Sequence, residues 1–127
     1  MKKSLHTISP RGVHIILDLY DCSDISLLNS AEKIEKLLKN SVKKANATLI
    51  DIKVHKFSPY GVSGFALISE SHISIHTWPE KKYVGVDIYT CGNKTLPEVA
   101  ADYFIKVLKS KKPTIMKIER GTYAEKF

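Results

Sequence analysis

Apolar and polar residues alternate along much of this chain, and the alternation predicts a fold rich in β-strands. Residues 48–57 alternate apolar with charged or polar side chains, which is the pattern of a strand with one buried face. Other runs are enriched in β-branched and aromatic residues and are bounded by turn signals, as at 58–61. The predicted strands cover 12–20, 48–57, 64–69, 72–78, 83–90 and 114–119.

Two segments repeat apolar residues at helical spacing instead. In 31–45, lysine and glutamate separate the apolar positions, and Asn29 with Glu32 three residues later predicts the N-cap. The second segment, 95–109, opens on the capping-box sequence TLPE. We predict a loop at 21–29. Strands joined by short turns, together with two helices, indicate an α+β fold in which an antiparallel sheet carries both helices on one face.

The segment 69–80 combines the period of a strand with reactive side chains. One face carries His72, Ser74 and His76, and the other carries Ile73, Ile75 and Thr77. The apolar face is suited to burial under the helices. The polar face is therefore predicted to lie on the open side of the sheet, as an active surface or a subunit interface.

Length and composition favour one globular domain in a reducing compartment. The chain has 127 residues, 43% of them hydrophobic and 26% charged. Its net charge of +7 comes from scattered lysines that helices and loops would expose, and no nucleic-acid recognition motif accompanies them. Two cysteines, Cys22 and Cys91, do not suggest a disulfide framework, and we predict a structural role for Cys22. No secretion signal or membrane span is recognisable, so we expect a cytoplasmic protein.

The motifs within 58–92 closely resemble those of the S-adenosylmethionine decarboxylase proenzymes of bacteria and archaea, the short type. The matching pieces are PYGVSG at 59–64, ISESHISIHTWPE at 68–80 and DIYTCG at 87–92. Weaker similarity covers Gly12, Val13, His14, Asp18, Cys22, Phe57, Glu119, Arg120, Gly121 and Tyr123. The resemblance implies a two-layer α/β sandwich that dimerises through its sheets.

Members of this family make their own cofactor, so the resemblance implies self-cleavage between Glu70 and Ser71. The single domain 1–127 would become a β chain, 1–70, and an α chain, 71–127, which remain associated. Ser71 would become a pyruvoyl group, the only cofactor expected; no metal is expected. Decarboxylation of an α-amino acid leaves electrons on Cα, and a carbonyl that forms a Schiff base with the substrate amine accepts them.

The resemblance also assigns roles to individual residues. Ser63 is implied as a support for processing, and His76 as the proton acceptor in that step. Cys91 is implied as the proton donor in catalysis, because a thiol is protonated at neutral pH. Phe57 and Glu80 are implied as substrate contacts: an aromatic face suits the adenine and the sulfonium, and a carboxylate suits the ribose hydroxyls. His14 and Asp18, which share a face of the first strand, are weaker site candidates.

The implied reaction converts S-adenosylmethionine to decarboxylated S-adenosylmethionine and carbon dioxide, which supplies the aminopropyl donor for spermidine. Three alternatives stay open at this stage. The same scaffold could decarboxylate arginine or ornithine, because the carbonyl chemistry is indifferent to the side chain. The chain could instead be a basic nucleic-acid-binding module, although we expect no nucleic-acid or membrane partner. It could also be an unprocessed homologue that regulates an active partner.

Overall fold

Six antiparallel strands form one open sheet in the computed structural model, which describes residues 12–122. The strands are β1 (Gly12–Cys22), β2 (Leu49–Lys56), β3 (Val62–Ile68), β4 (Ser71–Trp78), β5 (Tyr83–Cys91) and β6 (Ser110–Arg120). Their order across the sheet is β2-β3-β4-β5-β1-β6, and every neighbouring pair is antiparallel. The predicted antiparallel sheet is confirmed.

Helices cover one face of this sheet and leave the other open. They are α1 (Ile25–Leu28), α2 (Ala31–Lys44) and α3 (Pro97–Val107), and a 3-10 turn spans Pro79–Lys81. Helix α2 lies over β2, β3 and β4, while α3 lies over β5, β1 and β6, and the two helices touch each other. The α+β, two-layer arrangement with α2 and α3 on one face is therefore confirmed.

Apolar and polar side chains alternate along β4, so the strand contributes to the core on one face of the sheet and to the polar surface on the other. Ile73 and Ile75 are fully buried in the core that also contains Phe104 of α3 and Leu38 of α2. Gly64 of β3 lies where α2 approaches the sheet: a Cβ there would come within 2.6 Å of Leu38 Cδ1. A larger residue at this position would push α2 away from the strands that hold the polar face.

Local capping differs from the sequence prediction at both helices. Ser30, not Asn29, caps α2 by accepting a hydrogen bond from the Lys33 N–H. Asn29 is used elsewhere, because its side-chain oxygen accepts the N–H of Gly61. The predicted capping box of the second helix is wrong: Leu96 is the N-cap residue and makes no side-chain cap bond.

Two other boundaries also differ. The segment predicted as a loop contains α1, which Asp24 caps by accepting the Leu27 N–H; a single turn is too short to show helical periodicity. The last strand begins at Ser110, earlier than predicted, because β1 pairs with it along nearly its whole length.

Tyr123 lies outside the described residues. None of the helices within 12–122 is long and apolar enough to cross a membrane.

Candidate active site

The open face of the sheet carries the polar side chains of β4. His72 and Ser74 are partly exposed and His76 is exposed, whereas Ile73, Ile75 and Thr77 point towards the helices. The predicted division of this strand is confirmed. Because antiparallel partners share a face, the register also places Ser63 opposite His76, and Tyr89 opposite His72.

Ser63 and His76 form a hydrogen-bonded pair at one end of this face. The Ser63 Oγ and the His76 Nδ1 are 2.8 Å apart, across neighbouring strands. They line a cavity of about 500 Å³ that continues over β2. Its other lining residues are Lys53, Val54, His55, Gly64, Phe65 and Ser74. The hydroxyl and the imidazole therefore face a space that can admit a reacting group.

Phe57 and Glu80 lie at the same end of the sheet as this pair. Phe57 follows β2, has 47% of its surface exposed, and packs its ring edge-to-face with His55 at 4.6 Å between centroids. Glu80 is exposed on the 3-10 turn that follows β4. The structure thus gathers Ser63, His76, Phe57 and Glu80 at one end, which we call the His76 end.

The Glu70–Ser71 bond lies at the other end of β4, in the turn after β3. Ser71 has φ 140°, a value that non-glycine residues rarely adopt and that costs on the order of 1–3 kcal/mol. The carbonyl oxygen of Glu70 accepts the backbone N–H of Cys91 at 2.9 Å. Glu70, Ser71 and Cys91 therefore form a second group, which we call the Ser71 end.

One chain does not bring the two groups together. His76 lies five residues beyond Ser71 on an extended strand. At about 3.3 Å per residue this separates their backbones by roughly 16 Å, whereas proton transfer needs about 3 Å between heavy atoms. The sequence analysis treated the two groups as one site. The structure shows that within a single copy they are two groups at opposite ends of β4.

A polar cluster lies between the His76 end and the Ser71 end on the open face. The His14 Nε2 is 3.0 Å from Asp87 Oδ1, and Arg120 approaches the His14 Nδ1 at 3.4 Å. A guanidinium has only donors, so Nδ1 accepts and the hydrogen donated to Asp87 is on Nε2. Partial burial is the main cause that lowers the pKa of neighbouring His72; the positive charge of Arg120 acts in the same direction, and the carboxylate of Asp87 opposes it.

An aromatic row extends from this cluster towards the His76 end. Tyr83 stacks on Tyr20 at 5.2 Å between ring centroids and lies 5.1 Å from Trp78. The Tyr83 hydroxyl donates to Asp18 at 2.5 Å, and chiefly this bond raises the pKa of Tyr83 to about 12. Asp18, a weaker candidate in the sequence analysis, therefore holds an aromatic side chain in place.

This hydrogen bond predicts a pH dependence of stability. An unfolded tyrosine ionises near pH ~10, so the bond stabilises the fold fully below about pH 10 and is lost as the pH rises through about 12. We expect the melting temperature of the wild type to exceed that of Tyr83→Phe below this window and the gap to close across it. Buried Cys22, whose pKa is raised to about 11 by desolvation, titrates in both proteins. A constant gap in thermal scans would contradict the prediction.

Several residues of the site were missed by the sequence analysis. Lys53 and His55 belong to the charged face of β2, but that alternation was interpreted only as a strand with one solvent-facing side. The link between Cys91 and Glu70 is a backbone bond across strands, for which residue identity gives no signal. Among residues 12–122, no three His, Cys, Asp or Glu side chains are grouped so that they could hold a metal ion.

Comparisons with known proteins show the family of this chain. The family model described as S-adenosylmethionine decarboxylase matches residues 13–121. The chain therefore belongs to the S-adenosylmethionine decarboxylase family, and the resemblance found in the sequence is confirmed. Three observations support this assignment: the motifs at 58–92, the open antiparallel sheet, and a family match along almost the whole of the described chain.

Individual relatives agree with this assignment. The S-adenosylmethionine decarboxylase proenzyme of Methanococcus maripaludis is 51% identical over 110 residues, which cover 87% of this chain and 89% of the relative. That of Thermodesulfovibrio yellowstonii is 42% identical, over 87% of this chain and 81% of the relative. The crystal structure of the adenosylmethionine decarboxylase from Aquifex aeolicus superposes with a TM-score of 0.81 at 41% identity, over 88% of this chain and 92% of that chain.

Proposed function

We propose that this chain is a self-processing, pyruvoyl-dependent S-adenosylmethionine decarboxylase. The observation that carries the proposal is the geometry of the Glu70–Ser71 bond. Its serine has a strained φ of 140°, and its carbonyl oxygen already accepts a backbone N–H from Cys91. Strain at the serine and a donor at the carbonyl are what an acyl shift at this bond requires. The relatives named as proenzymes support the same interpretation.

In the first step the Ser71 Oγ attacks the carbonyl carbon of Glu70. The C–O bond forms, the C–N bond breaks, and the hydroxyl proton moves to the freed amine, so the amide becomes an ester. Negative charge develops on the Glu70 oxygen during the attack. The Cys91 N–H, 2.9 Å away, is already aligned to stabilise that charge without rearrangement.

In the second step a base removes the Cα proton of residue 71. The ester C–O bond breaks, and Glu70 leaves with a new main-chain carboxylate at the end of the 1–70 fragment. Water then replaces the nitrogen on Cα, ammonia departs, and a ketone caps the 71–127 fragment. His76 is the base that the family resemblance assigns, and its bond to Ser63 fixes its ring. The roughly 16 Å between His76 and Ser71 in one copy requires that the imidazole come from elsewhere.

A second copy of the chain, facing the open sheet in the opposite orientation, would complete the site. A two-fold axis between the sheets places the His76 end of one copy against the Ser71 end of the other, and it does so twice. The open face is suited to such a contact, because Phe65, Leu67 and Trp78 each leave about two-fifths of their surface exposed there: 43%, 41% and 40%. The dimer through the sheets, expected from the family, would therefore place a Ser71 end beside each His76 end.

The residues at the Ser71 end suit a ketone at position 71. It would supply an electron-poor carbonyl that binds the substrate amine and accepts the electrons released with carbon dioxide. Cys91 is on the open face and exposed, at the strand position next to Thr90, which pairs with Ser71. Its thiol would deliver a proton to the carbon that has lost the carboxylate.

The His76 end would bind the nucleoside part of the substrate. Phe57 presents an exposed ring, which would stack on the adenine, and Glu80 offers a carboxylate to the ribose hydroxyls. Arginine and ornithine have neither an adenine to stack on Phe57 nor ribose hydroxyls for Glu80. Release of labelled carbon dioxide from S-adenosylmethionine, arginine and ornithine, measured in parallel, tests this specificity; turnover of an amino acid without a nucleoside would overturn it.

We predict that Cys91→Ser separates processing from catalysis. The substitution keeps the backbone N–H that binds the Glu70 oxygen, so cleavage into 1–70 and 71–127 is expected to proceed. Removing the thiol removes the proton donor, and turnover should fall by about 10²–10⁴-fold. Intact-mass analysis and decarboxylation assays on the same preparation check both parts. Unchanged turnover in the cleaved protein would remove Cys91 from the catalytic role.

A further inference from the structure

The Glu70 side chain reaches back from the scissile turn to a segment of the chain more than twenty residues earlier. Its Oε1 accepts the backbone N–H of Thr48 at 3.1 Å. Thr48 also uses its carbonyl oxygen, which accepts the N–H of Ser69 at 3.0 Å. The two bonds join the same residue to both positions of the turn before Ser71, and none of the roles assigned so far uses them.

The residues that precede Thr48 are bonded to the helical layer. The N–H of Ala47 donates to the carbonyl oxygen of Val42, in the last turns of helix α2. The carbonyl of Ala45 accepts the N–H of Leu96, so the segment after α2 is also joined to the start of α3. The segment just before Thr48 is therefore bonded to the helical layer, and the Glu70 carboxylate connects the scissile turn to the residue that follows this segment.

We propose that the Glu70 side chain is a positioning residue for self-cleavage, which rests on the proposed self-processing function. Its bond to Thr48 immobilises the acyl side of the bond to be broken, while the Cys91 N–H holds the carbonyl oxygen. With both fixed, rotation about the turn cannot relax the strained φ of Ser71. The carbonyl that the hydroxyl must attack is thereby kept in one orientation.

The role requires the reach and the acceptor oxygen of this side chain, and it does not require its charge. Gln has the same length and a carbonyl oxygen that accepts the Thr48 N–H. Asp keeps the charge but is one methylene shorter, and Leu keeps approximate size without any acceptor. A displacement of about 1 Å in a reacting group can slow an intramolecular reaction by about 10²-fold.

The experiment follows cleavage of freshly purified or newly translated protein by intact mass over time. We expect Glu70→Gln to cleave within about threefold of the wild type, and Glu70→Asp and Glu70→Leu to cleave about 10²-fold more slowly. Glu35→Leu, which removes a carboxylate from the surface of α2, is the matched control and should cleave at the wild-type rate. Thermal unfolding of each uncleaved protein shows whether a slow variant is folded.

Hydroxylamine identifies the step that is slowed, because it cuts an ester but leaves an amide intact. In Glu70→Leu we expect no hydroxylamine-sensitive ester to accumulate, since the acyl shift itself is slow. Fast cleavage of Glu70→Asp with slow cleavage of Glu70→Gln would show that the charge of the side chain matters. Equal cleavage rates in all variants would show that the side chain has no role in cleavage. Either result overturns the proposal. So would an accumulated ester in Glu70→Leu. A wild-type chain that never cleaves would instead overturn the proposed function.

Discussion

Ser71→Ala is expected to remain a single uncut chain of 127 residues with no measurable decarboxylase activity. Without the hydroxyl no acyl shift begins, so no ketone forms at the start of the second fragment. The remaining side chains offer no carbonyl that could accept the electrons released with carbon dioxide. We expect activity to fall by at least about 10⁴-fold, since the electron acceptor is absent and not merely misplaced.

Intact mass and trapping with a reductant measure this result. Wild-type protein incubated with substrate and a carbonyl-trapping reductant should gain mass on the 71–127 fragment only, and Ser71→Ala should gain none. Ser69→Ala, on the same turn, is the control and should cleave and react normally. A wild-type 71–127 fragment that begins with an unmodified serine would indicate simple hydrolysis and would contradict the pyruvoyl assignment.

Two inactive variants are expected to restore cleavage when they are expressed together. His76→Ala alone should stop at the ester, because the base for the elimination is missing. Mixed with Ser71→Ala, it forms dimers in which its intact Ser71 end faces the intact His76 end of the other copy. Random association makes about half of the dimers mixed, so about half of the His76→Ala chains should be cleaved.

The mass of the released 71–127 fragment shows which copy was cut, because the His76→Ala fragment is lighter than the wild type. Co-expression of His76→Ala with Ser63→Ala is the matched control: both lesions are at the His76 end, so no intact site arises. Failure of the first pair to cleave, in material shown to be dimeric, would contradict the two-copy site. Cleavage by a monomeric wild-type protein would contradict it as well.

The strands and the polar face could be predicted from sequence because both depend on local periodicity. The two-residue period of 69–80 assigned Ile73 and Ile75 to the core and His76 to the open face, and the structure agrees. The motifs within 58–92 identified the family because their residues are close together in sequence and can be recognised without the fold. Helix α1 and the real cap of α2 were missed, because one turn and a shift by one residue leave little trace in a periodic pattern.

The arrangement of the site could not be predicted in the same way. Ser71 and His76 are near in sequence, which made them look like partners, but an extended strand carries them to opposite ends of the sheet. Conversely, Cys91 and Thr48 are distant from Glu70 in sequence, yet the Cys91 N–H donates to its backbone carbonyl and the Thr48 N–H donates to its side chain. Such contacts depend on strand register and helix packing, and the pattern of side chains along the sequence does not predict them.

The order of amino acids by itself determined which residue types are available and which side of each strand they occupy, because neighbouring side chains on a strand must point in opposite directions. Only the tertiary structure decided which of them meet. Register between strands is set by burial of the whole apolar face under α2 and α3. That register brings the Cys91 N–H to the carbonyl oxygen of Glu70 beside the strained Ser71, and it leaves His76 at the opposite end of β4.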